Sequence, residues 1–307
     1  MEVRVGCCGF PVSKSRYYEA LNLVEVNATF YRYLDLKLLS KWRSEAPAGF
    51  EFTVKAHQDI SHTHKLSWNR QTAQALKRMA EACRELEAEI LLIQTPGSLR
   101  PRKETLTKAE KFFEKASEAE LTMVWETRGP EWFKPENFEA LRKVLEKVGV
   151  VHCVDPFLGE PAYTSRLAYF RLHGLGEKLY YYEYSNSELE NLKRKVTSVK
   201  NVDVVYVLFN NLAMFNDALR FKTYLEAGSF PPLTGVYGVE AAWQILKNLK
   251  LPASKKALIS KVGWRLVEVK PGRQYSMKAV LSNIPDKTYR DSSELLRVVE
   301  ESLSSLG

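Results

Sequence analysis

Two kinds of segment alternate along the chain. Short apolar runs rich in Val, Ile, Leu and aromatic residues recur as VRVGCCG (3–9), LVEVNATF (23–30), FEFTVKAH (50–57), EILLIQTP (89–96), LTMVWETR (121–128), VVHCVDP (150–156), AYFRLHG (168–174) and VDVVYVLFNN (202–211). Runs of this length and composition read as buried strands. Between most of them lie segments with helical spacing, among them LKLLSKWRSEA, WNRQTAQALKRMAEACRELEA, KAEKFFEKASEA and PENFEALRKVLEKVG. A further helix starts at the cap signal of Ser187 and runs through SELENLKRKVTS.

Eight alternating strand–helix units within about 225 residues predict an α/β fold, a TIM-like (β/α)8 barrel. A doubly wound open sheet is the competing arrangement. No GxGxxG follows the first strand, where GCCGF offers only a tight glycine turn, and the count of eight favours the barrel. After LRFKTYLEAG comes SFPPLTGVYG, whose prolines and glycines mark a boundary. The expected organisation is a barrel over 1–229 and a small basic C-terminal α+β module over 230–307. Within that module 239–249 and LPASKKALISKVG read as helices, WRLVEV as a strand and KPGR as a turn. YSMKAVLSNIP and DSSELLRVVEESL read as two more helices.

Polar residues gather late in the strands: Glu25 and Asn27, Lys55 and His57, Gln94, Glu126 and Arg128, Asp155, Arg171 and His173, Asn210 and Asn211. Most are spaced by two, so each such pair shares a face. Inward residues at the C-terminal ends of barrel strands converge on one mouth, where barrel enzymes place their chemistry. A structural ion-pair network capping the barrel, for example Glu25 with Lys55 or Glu126 with Arg128, is the competing account.

These motifs carry a resemblance. VGCCGF against a usual VGTSGW, then VEVNATFY, FEFTVKAH, LLIQTP, ETRGPEW, RLHG and YVLFNN followed by NDAL run in order over roughly residues 3–225. The chain resembles the domain-of-unknown-function-72 family, the YecE-like proteins. The resemblance implies a TIM-like barrel in which Tyr31 and Trp132 join the strand-end residues around a cleft. CCGF stands where TSGW is usual, which removes a Ser and a Trp from the cleft. AHQDISHTH stands where APxxITH is usual, so His57 occupies a common proline position and His62 matches the family histidine. The resemblance implies fold and site but no reaction.

Composition narrows the chemistry. Nothing at the N-terminus reads as a signal peptide, and no apolar run reaches the length of a membrane span, so a cytoplasmic protein is expected. Cys7, Cys8, Cys83 and Cys153 form no CxxC pair and read as small buried thiols. The net charge is +8, of which +6 falls after residue 246. That surplus suits a polyanionic partner or a thermostable surface rich in Lys and Glu.

The strand ends mix acids (Glu25, Glu126, Asp155) with cations (Lys55, Arg128, Arg171) and the titratable His173. Five histidines, with His152 reading as core, are too few for a multi-zinc cluster. One Mg2+ or Mn2+ on the three carboxylates is left open, against three competing cations. His57, His62 and His64 read as a polar loop rather than a chelate. Without a metal, Lys55, Arg128 and Arg171 suit a phosphate or carboxylate. Glu126 or His173 suits general acid–base work, with Glu25 and Asp155 as further candidates. Gln94, Asn27, Asn210 and Asn211 suit sugar or base polar groups, and Tyr31 and Trp132 suit ring stacking. In the tail Lys255, Lys256, Lys261, Arg265, Lys270, Arg273 and Lys278 flank Trp264 and Tyr275, a pattern fit for RNA or DNA. The expectation is an enzyme, nuclease-like, acting on nucleic acid or a nucleotide. A non-catalytic nucleic-acid-binding protein and a sugar or sugar-phosphate isomerase, lyase or hydrolase are the alternatives.

Overall fold

The computed structural model describes residues 1–306. It falls into two compact units, residues 1–172 with 194–210, and residues 173–193 with 211–307. The boundary expected at 229/230 lies inside the second unit. Among the described residues, no helix is long and apolar enough to cross a membrane.

The first unit holds eight parallel strands: β1 (Glu2–Cys8), β2 (Leu23–Val26), β3 (Glu51–Lys55), β4 (Ile90–Gln94), β5 (Thr122–Glu126), β6 (Val151–Cys153), β7 (Leu167–Leu172) and β8 (Val204–Phe209). Their order is β6-β5-β4-β3-β2-β1-β8-β7. A parallel bridge between Val154 and Phe170 joins β6 to β7 and closes the ring. The fold is therefore a (β/α)8 barrel. Six strands lie within their predicted runs, and β1 and β7 begin one residue earlier, at Glu2 and Leu167. The second run is cut short after Val26, because Ala28–Tyr31 turns into a single helical turn, α2, just after α1 (Lys14–Ala20) and β2.

Period-two alternation sorts the strand residues. Cys8, Leu23, Ile90, Leu92, Val124, Val151, Cys153, Tyr169, Tyr206 and Leu208 form one buried cluster inside the barrel. The alternate set, such as Val24, Val54, Leu91, Ile93 and Val207, is buried on the outer face. Burial on both faces is why the runs are almost continuously apolar. Gly6 pairs with Leu23, and a β-carbon there would lie 2.3 Å from the Leu23 carbonyl oxygen. The close approach of β1 to β2 requires that glycine.

Helices α3 (Leu36–Glu45), α4 (Arg70–Leu86), α5 (Lys103–Ala116) and α6 (Pro135–Val148) match the predicted segments. In α4 the side chain of Asn69 accepts from the Thr72 amide and Thr72 Oγ1 accepts from the Asn69 amide, both at 2.9 Å. This reciprocal cap fixes where the helix begins. Ala75, Leu76, Met79, Ala82, Cys83 and Leu86 then form its buried stripe. At the N-terminal ends of the strands Arg4 pairs with Glu51, and the Tyr206 hydroxyl donates to Glu51 at 2.6 Å. That polar floor was not foreseen.

Helix α7 (Asn186–Thr197) carries the chain from the second unit back into the first. The second unit contains α8 (Met214–Ala227), α9 (Gly238–Leu246), α10 (Lys255–Val262), α11 (Met277–Ser282) and α12 (Ser292–Leu306). A hairpin joins β10 (Leu266–Lys270) to β11 (Arg273–Ser276), and a short pair joins β9 (Ala253–Ser254) to β12 (Thr288–Tyr289). The predicted turn KPGR is tighter than its four residues, because Lys270 ends β10 and Arg273 begins β11, a strand the sequence reading did not include. Tyr275 pairs with Val267 in the ladder, so the following helix starts only at Met277, capped by Ser276 Oγ at 3.1 Å. Glu183 and Asp217 are buried in this unit. Glu183 accepts from Arg265 and from the Leu266 amide. Burial, then the charge of Glu183, pushes the Asp217 carboxyl up to about 8.

Candidate active site

Alternation builds the mouth. Leu23 and Glu25, Leu92 and Gln94, Val124 and Glu126, and Tyr169 and Arg171 each share a face of their strand. The first member of each pair belongs to the interior cluster. The second lies one layer nearer the C-terminal end. Lys55 ends β3 in the same way, two residues after Thr53.

Arg171 is the centre of this layer. Its Nη2 donates to Glu25 Oε1 at 2.8 Å, and its Nη1 pairs with Glu126 Oε2. The second oxygen of Glu25 accepts from the Tyr169 hydroxyl at 2.9 Å, and that hydroxyl lies 2.8 Å from Thr53 Oγ1. The second oxygen of Glu126 lies 2.7 Å from Arg128 Nε. Glu25 and Arg171 are completely buried. The result is a buried chain, Tyr169–Glu25–Arg171–Glu126–Arg128, in which two carboxylates meet two guanidiniums.

Lys55 stands outside this chain. Its Nζ donates to Gln94 Oε1 at 2.8 Å and lies 4.1 Å from the centre of the Phe30 ring. Among the described residues, no carboxylate lies within ion-pairing distance of it. Burial, then the Arg171 charge, pushes the Lys55 ammonium down to about 8, against the opposing pull of Glu25 and Glu126. Asn27 donates to the Cys8 carbonyl at 3.1 Å, while its Oδ1 is buried with no hydrogen-bond partner among the described residues. Burial raises the thiols of Cys8 and Cys153 well above their ordinary range, so they are neutral, packed groups.

A family model described as a protein of unknown function, DUF72, matches residues 14–232. The chain belongs to the DUF72 family. The UPF0759 protein YunF of Bacillus subtilis strain 168 is 25% identical over 239 residues, 68% of this chain and 84% of that protein. A DUF72 structure from Enterococcus faecalis V583 is 22% identical with a TM-score of 0.61, covering 73% of this chain and 98% of its own. Another, from Thermotoga maritima MSB8, is 25% identical with a TM-score of 0.57, covering 74% and 100%. The DUF72 match spans all the barrel strands after β1 and stops before α9 to α12.

Within this DUF72 barrel the structure brings together Glu25, Lys55, Gln94, Glu126, Arg128 and Arg171. Asp155 is buried at the end of β6, with Oδ1 accepting from the Phe157 amide at 3.0 Å. The Asn210 amide donates to the Leu172 carbonyl at 2.8 Å, which extends the β7–β8 pairing by one residue. His173 and Asn211 belong to the second unit, where Asn211 donates to Asp217 at 2.7 Å and to the Tyr182 carbonyl at 2.8 Å.

Several expectations are corrected. Trp132 is no stacking platform: it is 1% exposed, packs edge-on against Trp125, and its Nε1 donates to the Leu99 carbonyl at 3.1 Å. Tyr31 is 70% exposed, its ring set edge-on to Phe30. Arg171 offers no fork to a phosphate, because both of its terminal nitrogens already hold carboxylates. Among the described residues, no three His, Cys, Asp or Glu side chains come together as a metal-ligand set. Glu25, Glu126 and Asp155 therefore do not fit a Mg2+ or Mn2+ site. His57 stacks on Tyr33 at 4.0 Å, His62 lies 2.9 Å from Ser61 Oγ, and His64 lies 3.5 Å from Asn69. His152 is a core residue: it accepts from the Ala162 amide at 3.0 Å and lies 3.0 Å from Thr127 Oγ1.

In the tail, Lys255 donates to the carbonyls of Ser282 and Ile284 and so caps α11. Arg265 is held by Glu183, and Arg273 donates to the Leu306 carbonyl at 2.9 Å. These three are structural. Lys256, Lys261, Lys270 and Lys278 are exposed. Sequence reasoning missed Tyr169, Thr53 and Phe30. Extending the period-two pattern one step back from Arg171 and from Lys55 would have found the first two.

Proposed function

We propose that the chain is an enzyme whose chemistry takes place at the C-terminal mouth of the barrel, on a small, oxygen-rich, phosphate-bearing substrate of the sugar-phosphate or nucleotide kind. The supporting observation is the buried charge chain of Glu25, Arg171 and Glu126 with the unpaired Lys55 beside it. Buried ion pairs are commonly no more stabilising than apolar residues of the same volume. A barrel needing only stability would fill this layer with apolar side chains, as Leu23, Leu92 and Val124 do in the layer below. Clusters of buried titratable groups at a barrel mouth point instead to a site.

In this reading Arg128, the most exposed charge of the chain, and Lys55 meet the anionic group. Gln94 and the open acceptor of Asn27 meet hydroxyls. Glu126 is the general acid–base group, and Arg171 with Glu25 holds it in place. The test is a thermal-shift panel of sugar phosphates and nucleotides on the full chain. At least one compound should raise the melting temperature of the wild type and leave Arg128→Met unmoved. A flat panel would refute the reading.

Binding of a nucleic-acid polymer is the second reading, supported by the four exposed tail lysines. Its mark is affinity for single-stranded nucleic acid that falls steeply with salt. A mouth-directed ligand has no such slope.

A further inference from the structure

We infer that Lys55 is a covalent catalyst, an amine that condenses with a small aldehyde or ketone held at the barrel mouth to form an imine. The inference rests on the reading of the mouth as an active site and names the reaction class within it.

Three observations carry it. The first is position. Lys55 is the last residue of β3, 6% exposed, on the face that turns into the barrel mouth. Its backbone is pinned by the Thr29 hydroxyl, which donates to the Lys55 carbonyl at 2.6 Å and to the Val26 carbonyl at 2.7 Å.

The second is the division of charges around it. Two carboxylates lie in the same layer, and either could have neutralised the ammonium. Both are held by arginines instead, Glu25 by Arg171 and Glu126 by Arg171 and Arg128. Lys55 is left with a neutral amide, Gln94, and an aromatic face, Phe30. A buried lysine kept beside another cation and away from anions is an activated amine. The groups facing it are named in full: Arg171 and burial favour the neutral amine, while Glu25, Glu126 and any Cys8 thiolate favour the ammonium. His62, whose ring meets Phe30 edge-on, feels the Lys55 charge and has its own proton affinity lowered by burial and then by Lys55. The net direction for Lys55 is down, to about 8.

The third is an unused acceptor. The buried Oδ1 of Asn27 has no partner among the described residues. Buried polar atoms are nearly always satisfied, and a substrate hydroxyl would satisfy this one.

The step balances without a co-reactant. The neutral amine adds to the carbonyl carbon, forming the C–N bond, and a proton passes from nitrogen to the carbonyl oxygen. The carbinolamine takes up one proton and loses water as the C–O bond breaks. Overall, the lysine ammonium and the carbonyl compound give a protonated imine and water, with charge conserved. The imine then draws electrons from the adjacent carbon, which suits cleavage, formation or migration of a bond there.

The experiment is reductive trapping on the full chain. Dihydroxyacetone phosphate and sodium cyanoborohydride are added at pH 7, and modified lysines are located and timed by peptide mass spectrometry. At that pH a lysine of pKa about 8 has roughly a tenth of its amine free. An ordinary lysine has well under a thousandth. Lys55 should therefore be reduced at least tenfold faster than the exposed lysines. Its rate should rise with pH to a midpoint near 8, and Lys55→Arg should remove that signal alone. The wild-type measurement stands even if a variant fails to fold. If Lys55 is trapped no faster than surface lysines while the Arg128-dependent thermal shift persists, the imine inference is overturned and the active-site reading survives. If both fail, both are overturned.

Discussion

Replacing Arg171 with Met tests whether the mouth layer is the buried charge chain described above. Glu25 and Arg171 have no exposed side-chain surface, and Glu126 has almost none. Removing the guanidinium leaves Glu25 with neutral donors, the Tyr169 hydroxyl and the Cys8 thiol, and no cation within ion-pairing distance among the described residues, whereas Glu126 keeps Arg128. Breaking a buried pair by deleting one partner typically costs about 3–5 kcal/mol, because the other charge stays buried and unpaired. For a unit of about 190 residues, each kcal/mol moves the midpoint by roughly 2–4 °C, so the expected fall is roughly 6–20 °C. The assay is thermal and urea unfolding followed by circular dichroism, with Glu25→Gln/Arg171→Met alongside. The double variant removes the stranded charge and should recover a substantial part of the loss. A single-variant cost below about 1 kcal/mol would mean that Glu25 finds water or another partner. A double variant as unstable as the single would mean that packing of the arginine stem, not charge, is what matters. Either result would refute the electrostatic account.

Other predictions concern the rest of the chain. Burial pushes His152 down to about 3. Its folded value therefore lies below its unfolded one, and stability present above about pH 6.5 is lost as pH falls towards 3. Between pH 7 and pH 4.5 the wild type should lose about 2–3 kcal/mol more than His152→Gln in urea titrations; equal losses would clear His152 as the source. Changing Lys256, Lys261, Lys270 and Lys278 together to Gln should flatten any salt-dependent binding of single-stranded RNA and leave the melting temperature within a degree or two, because none of the four holds the fold. A retained salt slope would place the contact elsewhere. Asn69→Ala should cost about 1 kcal/mol by removing the cap of α4, read by urea unfolding, and a neutral result would mean that water replaces the cap.

The barrel was legible because its strands are buried on both faces. Eight apolar runs separated by helical segments favoured a barrel over an open sheet, and every strand falls on its run to within one residue. The strand-end pattern was legible for the same reason: period two places Glu25, Gln94, Glu126 and Arg171 one layer beyond Leu23, Leu92, Val124 and Tyr169. Loop residues were not legible by that rule. Trp132 follows a glycine turn, where no period applies, and an aromatic near a candidate cleft read as a platform when it is core. The tail misled in a different way. Lys255, Arg265 and Arg273 sit in a basic, aromatic-rich stretch, but their partners are helix-end carbonyls and Glu183, as far as 82 residues away in the chain. No local pattern reveals such a partner. Asp217 and Glu183, both buried, were missed because neither lies at the end of an apolar strand run, where the period-two rule applies.

Counting charges at the mouth also concealed how they are divided. Three acids against three cations reads as a balanced set in which any cation could meet any acid, and in which cations compete with a metal for the carboxylates. In the structure the balance is local and unequal. Arginine has two terminal nitrogens and can bridge two carboxylates at once, which lysine, a single point donor, does less well. Arg171 therefore takes Glu25 and Glu126 together, and Arg128 takes the remaining oxygen of Glu126. Among the described residues, no carboxylate lies within ion-pairing distance of Lys55. The same two arginines thus hold both carboxylates in a buried layer and keep a lysine beside them short of counterions. Replacing Arg171 by Met should consequently raise the pH at which Lys55 becomes trappable, because the repelling cation is gone and Glu25 is freed to attract the ammonium. If that midpoint stays where it is in the wild type, the arginines serve only the carboxylates, and the reactivity of Lys55 comes from burial alone.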